Sequence, residues 1–297
     1  MHLTTSLKTY LYIFEKADIR IVCPIVERPK DRYIDITKPF GFSGFVGNAE
    51  WPEFPRWWRS FVRERGYVCG YLGINPIFDY STHFAPEEIY PYDTIYVLDL
   101  SPTVDVLYAN LPKGRRAQLN HWDEIHSNLV LEKSALKTFF LENYIDFFCK
   151  KNASPVYLFK EETLEFLFSL DNVKVVGAED CGKVVAVSVF SHTDDVGDYL
   201  FNISLPEGRK HSAALVWYGV NYLKSLRVPL MNLGGGSSGM GEFKRRFGCR
   251  GMPLRSLKQI YEPEIYNALC RQAKADPKDM NGFFPAYRKD DFGFQRR

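Results

Sequence analysis

Short runs of β-branched and aromatic residues dominate the first third of the chain, and longer apolar stripes at helical spacing appear only later. Residues 9–14 and 19–26 alternate as strands do, and Glu15-Lys16-Ala17-Asp18 between them predicts a hairpin. The spacing predicts a helix over 51–65, stopped at Gly66, then strands over 67–74 and 94–100. From 134 to about 151 a wide apolar face (Leu136, Phe139, Phe140, Ile145, Phe147, Phe148) predicts a helix capped by Ser134, followed by a shorter helix over 161–170. Residues 173–178, 183–190 and 198–203, separated by turn-forming segments, predict an antiparallel meander. A loop at 205–211, a helix over 212–226, and a strand at 229–233 come next. That strand cannot form a hairpin with its predecessor across a helix, so it is expected beside the third meander strand in parallel. A glycine run (234–241), a short helix near 242–247 and a final strand at 255–261 complete the order. The first third repeats this theme loosely, as a degenerate copy would.

Composition narrows the classes. At roughly 150 residues per domain, 297 residues suit two domains or one large one. With 38 Lys+Arg against 36 Asp+Glu the net charge is +2, so any basic site must be local, and DNA is not expected as a partner. The 45% hydrophobic and 25% charged content is that of a globular chain. No uncharged apolar run approaches the roughly 18 residues of a membrane span, which predicts a cytoplasmic protein and leaves peripheral membrane contact open. Six scattered cysteines without a C-x-x-C pair predict reduced thiols and no metal site. Aromatic residues reach 15%; most belong in cores, and a minority can line a sugar groove.

The glycine run fits three motifs on paper. A dinucleotide fold needs a full crossover helix after Gly234-Gly235-Gly236-Ser237-Ser238-Gly239, and the helix here is too short. A nucleophile elbow at Ser237 needs a later histidine, and the last histidine is His211. A P-loop needs Gly-Lys-Ser/Thr, and Gly239 precedes Met240. What remains is a flexible loop that can approach a ligand, with Phe243-Lys244-Arg245-Arg246-Phe247-Gly248 behind it. Six basic residues and one acid lie between Gly239 and Lys258. An anion site is the preferred reading over a solvated helix face.

Three antiparallel strands, helix, parallel strand, short helix and strand resemble the core of the N-acetyltransferase (GNAT) superfamily. Gly208-Arg209-Lys210-His211-Ser212 places free N–H groups, a helix N-terminus and two cations where that family holds its donor's pyrophosphate. The family's loop is Arg/Gln-x-x-Gly-x-Gly/Ala; Arg209 and Ala214 match its ends, and Ser212 stands where the first glycine belongs. Over nearly the whole chain the sequence resembles the FemAB-like branch, the peptidoglycan bridge-forming aminoacyltransferases. The matching residues are Pro39-Phe40-Gly41-Phe42-Ser43-Gly44, Val97-Leu98-Asp99-Leu100-Ser101, Gly114-Arg115-Arg116, His211-Ser212, Asn232-Leu233-Gly234-Gly235 and Phe243-Lys244 with Phe247-Gly248.

The resemblance implies an α+β chain of tandem GNAT-like domains, each a mixed, mostly antiparallel sheet flanked by helices. Residues 1–95 plus 263–297 would form the first domain and 96–262 the second, with Phe283-Phe284-Pro285-Ala286-Tyr287-Arg288 returning to the first. It further implies transfer of an acyl or aminoacyl group to a primary amine of an envelope precursor, an amino sugar or a peptidoglycan peptide. No cofactor is held permanently; acyl-CoA or aminoacyl-tRNA is the donor, and a small-molecule or lipid-linked amine the acceptor. A catalytically silent glycan- or nucleotide-sugar-binding protein on the same frame is the alternative. Acyl transfer to an amine requires a deprotonated nucleophile and a stabilised oxyanion. Lys244 is expected to face the cleft between the domains and supply positive charge. Tyr199 could orient the amine or protonate the leaving group, unless it is a core tyrosine, and Asp198 is a base if it faces the cleft. Phe243, Phe40, Phe42, Arg115 and Arg116 are candidate acceptor contacts; Gly208, Arg209, Lys210, His211, Ser212 and Gly235 are candidate donor or phosphate contacts.

Overall fold

A computed structural model describes residues 7–78, 83–236 and 238–289. In chain order these form strands β1 (Thr9–Lys16), β2 (Ile19–Lys30), β3 (Tyr33–Thr37) and β4 (Val46–Gly47), helix α1 (Phe54–Glu64), then β5 (Tyr67–Ile74) and β6 (Ile89–Asp99). Three short helices follow, α2 (Val104–Ala109), α3 (Lys113–Gln118) and α4 (Trp122–Ser127), then β7 (Leu129–Val130), α5 (Lys133–Lys150) and α6 (Glu161–Ser169). The chain continues through β8 (Val173–Asp180), β9 (Lys183–His192), β10 (Val196–Ser204), a 3-10 turn (Glu207–His211) and α7 (Ser212–Ser225). It closes with β11 (Leu230–Asn232), α8 (Ser238–Arg245), β12 (Arg250–Ile260) and α9 (Pro263–Gln272).

Two compact units result: Met1–Asp93 with Pro253–Arg297, and Thr94–Met252. In the first, β1, β2 and β3 form an antiparallel meander, β3 pairs with β5 in parallel across the α1 crossover, and β12 lies antiparallel on β5. The core of this unit packs Phe54, Trp58 and Val62 of α1 on Ile21, Cys23, Ile25 and Leu72 of the sheet. The α1 helix begins one turn later than the apolar spacing suggests, with Pro55 in its first turn. The last strand, expected at the end of the second domain, belongs from residue 253 to the first unit, because its ladder runs Arg255↔Ile74 to Ile260↔Cys69.

The C-terminal segment packs Phe284, Ala286 and Tyr287 on Val68, Cys69 and Tyr266. Beneath it Asp35 is almost fully buried and accepts hydrogen bonds from Arg28 Nε (2.7 Å), Arg288 Nε (2.6 Å) and the Tyr287 hydroxyl (2.9 Å). Arg288 also donates to the carbonyls of Arg28 and Pro29, and Lys258 Nζ donates to those of Met280 and Gly282. A buried carboxylate is tolerated only when paired in this way.

The second unit repeats the same topology. Strands β8, β9 and β10 form the meander, β11 pairs with β10 in parallel after the α7 crossover, and β6 lies antiparallel on β11. Between β8 and β9 the turn residues Cys181 and Gly182 both have positive φ, as a two-residue hairpin with right-handed twist demands. Residues from α2 and α7, with Leu119 just past α3, fill one face (Leu107, Leu119, Trp217, Val220), and α5 with α6 fills the other (Leu136, Phe140, Leu164, Phe168). The cap of α5 is Glu132, not Ser134: its carboxylate accepts from the N–H groups of Ser134 and Ala135. Glu132→Ala is expected to lower the denaturant midpoint, because the N–H groups of Ser134 and Ala135 lose their acceptor.

Among the described residues no helix is long and apolar enough to cross a membrane, and no group of three or more His, Cys, Asp or Glu could hold a metal ion.

Candidate functional site

The parallel pairing of β10 with β11 lasts only three residues, Val196↔Leu230 to Asp198↔Asn232, although β10 runs on to Ser204. Past Asn232 the chain stays with β6: Leu233 N donates to Tyr96 O (2.8 Å) and Tyr96 N to Gly234 O (3.1 Å). The left-handed φ of +73° at Gly234, which glycine adopts without a steric penalty, carries the chain off β10. A fork opens between the two strands.

At the base of the fork Asn232 Nδ2 donates to Asp198 Oδ1 (2.8 Å), and Asn232 Oδ1 accepts from Gly234 N (2.8 Å). Burial raises the Asp198 carboxyl above its usual range, and the Asn232 hydrogen bond opposes it. A raised carboxylic-acid pKa penalises the folded state as pH climbs from the ordinary value through the folded one. Asp198→Asn is therefore expected to raise the melting temperature at neutral pH and to leave it unchanged in strong acid, where both side chains are neutral.

Helix α8 closes the other wall. Lys244 is 7% exposed, its ammonium donates to Gly235 O, and it lies 6.0 Å from the Tyr96 ring centroid. Arg245 donates to the Tyr96 hydroxyl (3.0 Å). Lys244 also restrains the rise that burial imposes on the Cys249 thiol, which reaches about 12. A hydrogen-bonded path thus joins Asp198 to Asn232 and Gly234, and the next residue, Gly235, accepts from Lys244. Asn232 and Tyr96 are the site residues that sequence reasoning missed as side chains. Asn232 carried a signal, since it opens the Asn-Leu-Gly-Gly match, whereas Tyr96 carried none.

Other candidates take different places. Tyr199 follows Asp198 on β10 and so faces the opposite side of the sheet. Its ring packs 5.3 Å from that of Phe190, and burial raises its hydroxyl despite hydrogen bonds with Ser188 and Asn202. Between Tyr199 and Phe201 the register on β9 slips, so Leu200 is the extra residue of a bulge and stands outside that ladder.

Arg115 is not on the surface: its guanidinium sits 4.6 and 4.1 Å from the rings of Phe243 and Phe247 and donates to Gln118 and to Phe243 O. Burial, with Arg246 nearby, lowers its pKa to about 10. It fixes α3 to α8, so the half-buried Phe243 ring is anchored as well, while Arg116 is exposed.

Ahead of α7, Gly208 is buried so tightly that a Cβ would stand 2.2 Å from Val185 O. Gly208→Ala is accordingly expected to lower the melting temperature and to disturb the turn at 207–211. Lys210 pairs with Asp180 (2.8 Å) at the surface and Arg209 is exposed. His211 Nε2 is buried with no hydrogen-bond partner, and burial lowers its pKa, with Lys210 adding to the effect. The first turn of α7, which Ser212 opens, carries no acidic residue. With Lys210 held by Asp180, the helix N-terminus, Arg209 and the unpartnered imidazole nitrogen are the groups on this stretch that an anionic donor could use. Ser237 lies outside the described residues.

Phe40 (38% exposed) and the half-buried Phe42 belong to the first unit, on the segment that leaves β3 and returns where Ser43 bridges Ile74. There Ser43 N donates to Gly73 O (2.8 Å) and Gly73 N to Ser43 Oγ (3.1 Å). Lys38 crosses the gap, donates to Gly41 O (2.9 Å) and has its pKa lowered by burial. Its stem passes 2.6 Å from where a Cβ of Gly73 would stand, so a side chain there would displace the lysine. Sequence reasoning passed over Lys38 although it directly precedes the Pro-Phe-Gly motif.

No family model and no curated protein matches the sequence. Solved structures do match. The chain superposes on FemX with a TM-score of 0.64 at 8% identity, over 88% of this chain and 90% of that one. A conserved protein of unknown function from Bacteroides thetaiotaomicron VPI-5482 gives 0.59 at 11% identity, over 87% and 86%. The C-terminal domain of a putative lysylphosphatidylglycerol synthetase from Agrobacterium fabrum gives 0.55 at 16%, over 88% of each. The fold is therefore the one shared by FemX and the lysylphosphatidylglycerol synthetase domain, and the mixed α+β class in two units expected from the residues is the one observed.

Proposed function

We propose that the protein is an N-acyltransferase that moves an acyl or aminoacyl group from a thioester or an aminoacyl-tRNA onto a primary amine of a cell-envelope precursor. The observation that carries this reading is the fork beyond Asp198 and Asn232, with a buried ammonium on one wall and a strand bulge on the other. One structural neighbour is named for making lysylphosphatidylglycerol, an aminoacyl ester of a lipid, which suits aminoacyl donors. The donor's diphosphate or phosphodiester would sit at the N-terminus of α7 against Arg209 and His211, with its carbonyl in the fork.

Attack by the neutral amine forms the new C–N bond and places negative charge on the carbonyl oxygen. That oxygen would replace the Gly235 carbonyl as acceptor for Lys244, and Leu200 N–H lies on the opposite strand at the bulge. Collapse expels the thiolate or the ribose oxygen, which takes up the proton that the amine loses. Asp198, held towards its neutral form, keeps Asn232 and the Gly234 turn in place and acts as a positioning residue. Phe243, on the same helix as Lys244, offers an apolar contact to the acceptor.

The test is mass spectrometry of the full chain mixed with acetyl-CoA or charged tRNA and a panel of amino-sugar nucleotides and peptidoglycan peptides. An acceptor heavier by one acyl or aminoacyl group, and absent with Lys244→Met, is the expected result. Failure of every donor and acceptor pair to yield such a product would remove the reading.

A further inference from the structure

The first unit carries a second candidate site, distinct from the fork of the second. Strand β1 is the edge of its sheet, and a cavity of about 230 Å³ opens there against the C-terminal end of α1. Its lining includes Tyr10, Tyr12, Phe61 and Tyr67 with two charged residues, Glu27 and Arg65. The Tyr12 and Phe61 rings stand 4.5 Å apart at 49°, and the Phe61 and Tyr67 rings 6.1 Å apart at 70°, so they form a concave apolar corner. Glu27 accepts from the buried Tyr67 hydroxyl at 2.6 Å, which fixes one carboxylate oxygen. Arg65 lies over Phe61, 5.7 Å from the ring centroid.

We propose that this cavity binds a single neutral saccharide ring. Its volume falls below the roughly 300 Å³ at which pockets for drug-sized ligands begin, so the occupant is small. The opposite charges of Glu27 and Arg65 offset each other, which disfavours a simple anion or cation. Together they supply an acceptor and donors in the same lining as the aromatic rings. A pyranose matches that pattern, with one C–H face for the rings and hydroxyls for the carboxylate and guanidinium. Tyr10, 43% exposed on the edge strand, would be covered by such a ring, as would Leu11 and Ile13 beside it.

The inference stands apart from the acyl-transfer reading, because it needs neither a donor nor any residue of the second unit. Saturation-transfer NMR on the full chain tests it with methyl glucoside and methyl N-acetylglucosaminide as probes, and with tetramethylammonium and inorganic phosphate as charged controls. Transfer to the ring C–H protons of at least one sugar is expected. Tyr10→Ala, at an exposed position, should keep the melting temperature and weaken that sugar about fivefold. Glu27→Gln, which keeps the shape, should weaken it about as much through loss of a charged acceptor. No transfer to either sugar, wild-type binding by both variants, or preference for tetramethylammonium or phosphate would each overturn the proposal. Loss of acyl transfer with sugar binding intact, or the reverse, separates the two readings.

Discussion

Lys244→Met is expected to lose roughly a hundredfold in transfer rate, about 3 kcal/mol of transition-state stabilisation, the usual effect of removing one oxyanion donor from a dry site. The reason is placement. The ammonium is buried beside the Tyr96 ring and already donates to a carbonyl oxygen at the mouth of the β10–β11 fork. Methionine keeps the length and the apolar stem, so the variant should remain folded with a small drop in melting temperature from the lost Gly235 contact. Steady-state rates with the acceptor identified by mass spectrometry, alongside thermal melts, decide the matter. A variant that transfers at the wild-type rate would leave Lys244 as a structural tie between α8 and the glycine loop. A variant that unfolds would assign it to stability, and Lys244→Arg, which retains the charge, would then separate the two roles.

The largest expected effect on stability is at Asp35. Replacing it with Asn leaves the guanidinium groups of Arg28 and Arg288 buried without their counter-charge, and breaking a buried ion pair in this way costs about 3–5 kcal/mol. The loss should appear as a lower denaturant midpoint. It should also appear as earlier proteolysis of the C-terminal segment, since Tyr287 and Arg288 both bond to this carboxylate. Asp35→Asn together with Arg28→Met and Arg288→Met should recover part of the loss, because the remaining groups would no longer be unpaired charges. If Asp35→Asn lowers the unfolding free energy by less than about 1 kcal/mol, the network is not the clasp that its burial implies.

Periodicity made the meander of the second unit, the α7 crossover and the parallel setting of β11 legible, because each depends on local spacing and on the rule that a helix separates parallel neighbours. The helices α2, α3 and α4, six residues each, were not legible, since one and a half turns cannot show a hydrophobic period. The start of α8 was set too late because Gly239 and Gly241 are poor helix formers. Only the folded chain shows why Gly241 is there: a Cβ would stand 2.3 Å from the Tyr96 hydroxyl. Arg115 read as an acceptor contact, because a doublet of arginines carries no mark of burial. Its partners Phe243 and Phe247 lie more than 120 residues further on.

By itself the sequence determined the order of elements from α5 to β12, the overall class, and the presence of Lys244, Asp198 and the glycine run near a strand end. Those depend on neighbours within a few residues. Tertiary structure decided which of these groups meet, that Lys244 is buried rather than solvated, and that β12 completes the first unit. It also decided that the C-terminal Arg288 reaches a carboxylate on β3. Such contacts join positions as far apart as 253 residues, and neither periodicity nor spacing carries information over that separation.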